Sequence, residues 1–225
     1  MSSVPLTHHA EPLARLLLQW GVAASGATTV AERLGGWLGW ADAVGLAQVL
    51  AAAPAAVADA EARVEALDWA GAALERLRAE LAAAFDDTLL AQESAAPAPE
   101  GLPLADLLAP YRLHHAQQQR AMAARVATLR ERLRPRLTAA SGALARLAEL
   151  DALLERALLA QERTLLAGLP TLLAHRAEGH HTADPRRWRA RFWADLQRAL
   201  RAELDFRLQP VLGLIDALHD AAPTR

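Results

Sequence analysis

The feature that most limits what this chain can become is an apolar stripe that recurs every three or four residues over most of its length. Leu67, Ala70, Leu74, Leu77, Leu81 and Ala84 alternate spacings of three and four, the heptad seam of a coiled coil or a long antiparallel hairpin. Leu144, Leu147, Leu150, Leu154, Leu158, Leu165, Leu169 and Leu172 continue such a stripe further on. A last helix from about Arg186 to Leu218 carries Trp188, Phe192, Leu196, Leu200, Leu204, Leu208, Val211, Ile215 and Leu218 on one broad face. No stretch shows the two-residue alternation of β-branched side chains that strands require. The expected fold class is all-α, an elongated bundle of about six helices with long antiparallel coiled-coil-like members.

Composition agrees. The chain of 225 residues is 53% apolar, mostly Ala and Leu, the strongest apolar helix formers, with 4% aromatics. All 24 basic residues are Arg, and the absence of Lys and Asn suits a GC-rich bacterial genome. With no Cys, disulfides, thiolate zinc sites, iron–sulfur clusters and thiol nucleophiles are excluded. A net charge of -2 builds in no global attraction to nucleic acid or anionic lipid. Met1 to Pro12 has no basic and apolar signal pattern, and Ala43 to Ala58, broken by Gln48 and Pro54, is too short and polar to span a bilayer. The expected location is cytoplasmic.

Boundaries follow from the breakers. Residues 1–12 read as a flexible tail. Residues 13–93 read as an N-terminal helical region: Leu13, Leu16, Leu17 and Trp20 closed by Gly21, a Trp/Gly-rich helix started by Thr28 or Thr29, and one long acidic helix from Ala55 to about Glu93. Residues 94–103 (SAAPAPEGLP) form a Pro/Ala linker. Residues 104–220 form a C-terminal helical region packing on the first as one domain, bent at Pro110, Pro135 and Pro170, with a loop at 177–185; 221–225 is a tail. Residues 55–100 hold ten acids and three Arg, and residues 101–148 eight Arg and two acids. That segregation predicts an acidic arm folding against a basic one, with Arg130, Arg132, Arg134 and Arg136 as partners of the acidic helix.

Few residues suggest chemistry. Adjacent histidines such as His114 and His115 point about 100° apart on a helix and chelate poorly. The best metal candidate is His175, Glu178, His180, His181 and Asp184 at a helix end and loop, read more simply as a hydrophilic loop. Arg186, Arg187, Trp188, Arg189, Arg191 and Trp193 form a basic-aromatic segment of the kind that meets phosphates and bases; helical phase puts Trp188 and Phe192 on the core side instead. Asp42, between Trp40 and Gly45, reads as a buried carboxylate bonded to the preceding helix. Gly35, Gly36, Gly39 and Gly45 each cost about 0.5–1 kcal/mol relative to Ala inside a helix, which favours close approach by a neighbour as their purpose. No phosphate loop, nucleophile elbow or zinc-protease motif occurs, so no catalytic residue, metal or cofactor is expected.

The most specific stretch is residues 29–50, TVAERLGGWLGWADAVGLAQVL, with Glu32, Arg33, Leu34, Gly35, Trp37, Trp40 and Asp42. It resembles the signature of an uncharacterised proteobacterial family, the domain of unknown function 3348, and the order of a Leu-rich helix, this block, a long helix, a Pro/Ala linker and further helices is similar as well. The resemblance carries no activity and no catalytic residues. It implies a gene encoded near those of a coiled-coil membrane protein and a peptidoglycan-binding protein, hence a cytoplasmic component of an envelope-associated assembly. The expected function is a non-enzymatic helical scaffold or adaptor that engages a helical protein or a second copy of itself. The alternatives are a nucleic-acid-associated regulator using residues 186–193 and a metal-dependent hydrolase. Nucleic acid is the weaker partner, no transmembrane segment is expected, and peripheral association with a membrane complex is compatible.

Overall fold

A computed structural model describes residues 12–22, 39–52 and 59–221. Eight helices and no strand occur among them, so the chain is all-α. The helices are α1 (Pro12–Gln19), α2 (Trp40–Ala51), α3 (Ala60–Phe85), α4 (Thr88–Ala95), α5 (Leu104–Ala140), α6 (Gly142–Leu166), α7 (Leu169–Ala183) and α8 (Trp188–Asp220). The chain resolves into two compact units. Unit 1 draws on residues 1–25, 79–123 and 167–208, and unit 2 on residues 26–78, 124–166 and 209–225.

Local chemistry fixes each boundary. Gly21, at a φ of 82°, ends α1 in the left-handed conformation a C-terminal glycine permits, and Val22 N–H reaches back to Leu17 O at 3.0 Å. Asp59 caps α3 by accepting from Glu61 N and Ala62 N, both at 3.0 Å. The single helix expected from Ala55 to Glu93 is divided. Asp87 Oδ1 takes the amides of Leu89 and Leu90, stopping α3 at Phe85 and starting α4. Residues 53–58, with Pro54, lie outside the described residues.

Neither Pro110 nor Pro135 divides α5, which runs unbroken for 37 residues. Pro170 instead sits in the first turn of α7, where its missing N–H has no intrahelical partner to lose. The loop expected at 177–185 shrinks to the turn after Ala183, because the sequence His175 to Ala183 contains no breaker stronger than Gly179. Asp184 Oδ1 then caps the entry to α8 through the amides of Arg186 and Arg187.

The seam of α3 is also corrected in detail. The buried positions are Ala66, Ala70, Leu74, Leu77, Leu81 and Phe85, while Leu67 is half-buried and Ala84 exposed. Buried residues repeat after eleven positions (66 to 77, 70 to 81, 74 to 85), a period of about 3.67 per turn that stays close to a straight helix, where a heptad would drift. In α5, Tyr111, Met122, Val126, Leu129 and Leu133 are buried, and Gln118 is half-buried.

Candidate functional site

In unit 1, α8 is enclosed. From Asp195 to Leu204 only Arg198 and Arg201 are exposed, so this stretch is the unit's central helix and buries polar side chains with its leucines. Glu203 is 0% exposed. Its carboxylate accepts from Arg207 Nε at 2.9 Å, Arg207 Nη2 at 2.7 Å and Gln119 Nε2 at 3.0 Å. His115 Nε2 lies 3.7 Å away, beyond hydrogen-bond range but close enough to act electrostatically. Burial pushes this carboxyl upward, and His115, Arg207 and Gln119 together overcome that and hold it below its ordinary value.

Asp195, 2% exposed, is handled the same way. It accepts from Arg176 Nε at 2.8 Å and Nη2 at 2.7 Å, from His180 Nε2 at 2.8 Å, and from Arg198 Nη2. Burial opposes ionisation there, yet the donors from His180, Arg176 and Arg198 keep the group below the usual Asp range. A third polar knot forms where α3 stops. The carbonyl of Phe85, which already accepts from Asp87 N at 3.0 Å, also accepts from His114 Nε2 at 3.2 Å and Gln197 Nε2 at 2.5 Å, which ties the end of α3 to α5 and α8. Burial pushes the His114 imidazole below its ordinary value, against the pull of Phe85 O and Asp87.

The basic-aromatic segment comes apart by burial. Trp188 is wholly enclosed, with the rings of His181 at 5.9 Å and Phe192 at 5.8 Å. Tyr111 stands edge-on to Phe192 at 5.4 Å, and Trp193, half-buried, lies 6.1 Å from Tyr111 and 5.7 Å from His114. Arg189 is buried too, donating through Nη2 to Ala96 O at 3.1 Å and Pro97 O at 2.7 Å. Ala98 N donates to Arg186 O at 2.9 Å, and Arg186 pairs with Glu100 at the surface. The Pro/Ala connection is thus laced to the start of α8. Only Arg186, Arg187 and Arg191 of this segment face outward, without the aromatic platforms that base stacking needs.

The metal candidate disperses as well. His175 and Glu178 form an exposed pair at 3.3 Å, His180 belongs to Asp195, His181 packs on Trp188, and Asp184 caps α8. Among the described residues no group of three or more His, Asp or Glu could hold an ion. The Tyr111 phenol, pushed up to about 12 chiefly by burial, is no base near neutral pH.

Among its described residues, unit 2 has one buried ionic cluster. Arg130 Nη2 meets Asp151 Oδ1 at 2.6 Å, Arg134 Nε meets Asp151 Oδ2 at 2.9 Å, and Glu155 accepts from both arginines. These two arginines therefore answer to α6, which corrects the expectation from charge segregation that they would partner the acidic α3. Each ladder repeats at i,i+4, which lets two arginines meet two acids across one helix pair. Arg136 lies over the Trp69 ring of α3 at 3.7 Å, an attraction by the ring face.

α2 packs against α6, and of the four glycines expected to permit close approach, Gly45 does so. A Cβ on Gly45 would stand 3.2 Å from Leu153 Cδ2, and Arg146 Nε donates to Val49 O at 2.9 Å. Gly39 sits at the start of α2, and Asp42, half-exposed where a buried carboxylate was expected, accepts from its amide at 3.3 Å, so this carboxylate caps its own helix. Trp40 begins the helix. Glu32, Arg33, Leu34, Gly35 and Trp37 lie outside the described residues. Not one described side chain of α2 is fully buried, and Val44 is exposed. On α6 the leucines at 147, 150, 153, 154 and 158 are half-buried, and Leu159 and Leu165 are exposed by 43% and 57%.

The buried carboxylates Asp195, Glu203 and Asp151 were missed in the sequence, where they look like ordinary helix-surface charges. A signal existed: Glu203 falls on the Leu196 to Leu204 face, and its i+4 neighbour is Arg207. A family model described as protein of unknown function (DUF3348) matches residues 9–220, nearly the whole chain. No curated protein and no solved structure matches.

Proposed function

The chain belongs to the DUF3348 family, and we propose that it is a non-enzymatic helical adaptor whose docking face is the α2/α6 surface of unit 2. One observation supports this reading: an apolar helix with no fully buried described side chain lies beside a leucine ladder left half open. Contiguous apolar surface of this kind lowers its free energy by meeting another apolar face, at about 25 cal/mol per Å² removed from water. The occupant is a helical protein or a second copy of the chain. No helix among the described residues is long and apolar enough to cross a membrane. A cytoplasmic place beside an envelope assembly is part of the proposal.

Light scattering on purified chain, wild type beside a Leu50→Arg and Leu159→Arg double variant, tests it. The wild type is expected to self-associate or to retain a helical partner, and the variant to lose that with its circular dichroism unchanged. A strictly monomeric wild type that captures no helical partner removes the basis of the proposal.

A further inference from the structure

The central stretch of α8, enclosed elsewhere, opens at one place. Its two exposed residues, Arg198 and Arg201, share a face with Ala202 and Asp205, at spacings of three, four and seven. Pro12, Arg15, Leu16 and Gln19 repeat the same spacings on α1, and the two faces line a groove of about 350 Å³ in unit 1. That volume is within the range of small-molecule sites.

We propose that this groove binds a small phosphorylated molecule. Three arginines and one carboxylate, Asp205, line it, an excess of basic over acidic residues that the chain as a whole lacks. Their commitments differ. Arg15 has no acidic partner among the described residues. Arg201 meets Asp86 at 3.4 Å in an exposed pair, the kind worth about 0–1 kcal/mol and readily exchanged for a better anion. Arg198 shares the buried Asp195 with Arg176 and His180 through its Nη2, which fixes the position of its guanidinium while the side chain stays half exposed.

A phosphomonoester matches this set better than a carboxylate. It carries about −1.5 to −2 charges near neutral pH and three acceptor oxygens, enough for more than one guanidinium fork at once. Gln19 adds an amide donor. Leu16, Ala202 and Pro12 give the carbon skeleton an apolar floor. The groove uses no residue of the α2/α6 face, so this site stands or falls independently of the adaptor reading.

Titration calorimetry with glycerol 3-phosphate on the full chain tests the assignment, with Arg15→Gln, Arg201→Gln and, as an exposed reference outside the groove, Arg187→Gln. Saturable one-to-one binding is expected, weakened about tenfold in each groove variant and unchanged in Arg187→Gln. Gln19→Glu, which touches neither ion pair and places a carboxylate in the groove, is expected to weaken binding as well. Circular dichroism verifies the fold of each variant. Absence of saturation overturns the proposal, as does equal loss in Arg187→Gln, or full binding retained in Gln19→Glu. Binding confined to vesicles containing phosphatidic acid, with none to the soluble phosphomonoester, also overturns it.

Discussion

Unit 1 and unit 2 solve the same problem with different materials. Unit 1 holds the aromatics Phe85, Tyr111, Trp188 and Phe192 at its centre and buries Asp195, Gln197, Glu203, His114 and His115 among them. Among its described residues, unit 2 relies on Leu, Ala, Val and Ile around one ionic cluster, Arg130, Arg134, Asp151 and Glu155, and leaves leucines of α6 half open. Large rings fill the spaces between helices, and satisfied polar groups fix which helix faces which. Alanine cannot reach across the same gaps. A helical unit built mostly from small and aliphatic side chains therefore retains apolar surface for something else to cover.

The contrast breaks most readily at Glu203. Glu203→Ala leaves Arg207 and Gln119 without their buried acceptor, and urea unfolding is expected to show a loss of about 3–5 kcal/mol. A loss under 1 kcal/mol means that the polar core of unit 1 does not hold it together.

Acidity sharpens the comparison next. His114 has a folded value below its unfolded 6.5, so it favours the folded state above pH 6.5, and that contribution is lost as pH falls from 6.5 through the folded value. Asp195 and Glu203, also lowered, contribute above their unfolded values of 3.8 and 4.5 and lose that contribution as pH drops through their folded values. Urea midpoints are expected to decline below pH 6.5 and then more steeply below about 4.5, with the first decline flattened in His114→Gln. An identical first decline in that variant assigns it to another group.

The smallest effect belongs to unit 2. Leu159→Gln, on the open face, is expected to change unfolding free energy by no more than about 0.5 kcal/mol. A loss of 2 kcal/mol or so, typical of a core leucine, would show that this face is filled from within the chain.

How much of this the sequence discloses depends on the residue. Leu and Ala at helical spacing gave the helices and most of the buried stripes, because periodic burial leaves a periodic record. Asp87 shows where that record fails: its carboxylate ends a helix by capping the next, in a run whose apolar spacing continues undisturbed on either side. Asp195 and Glu203 escaped because a charged residue on a helix looks solvated until the helix is known to be surrounded. The groove lined by Arg15, Arg198 and Arg201 was invisible for a related reason, since it joins residues more than 180 positions apart.

The lacing of residues 96–98 to Arg186 and Arg189 has a consequence for how the chain is handled. A Pro/Ala stretch invites cutting, and truncation at 94–103 would seem to divide the protein at a hinge. Arg189 would then bury a guanidinium with no carbonyls to receive it, and the start of α8 would lose the backbone bond from Ala98 to Arg186. Neither fragment would be a domain, and split reporters or tags inserted there would report on damage they had caused.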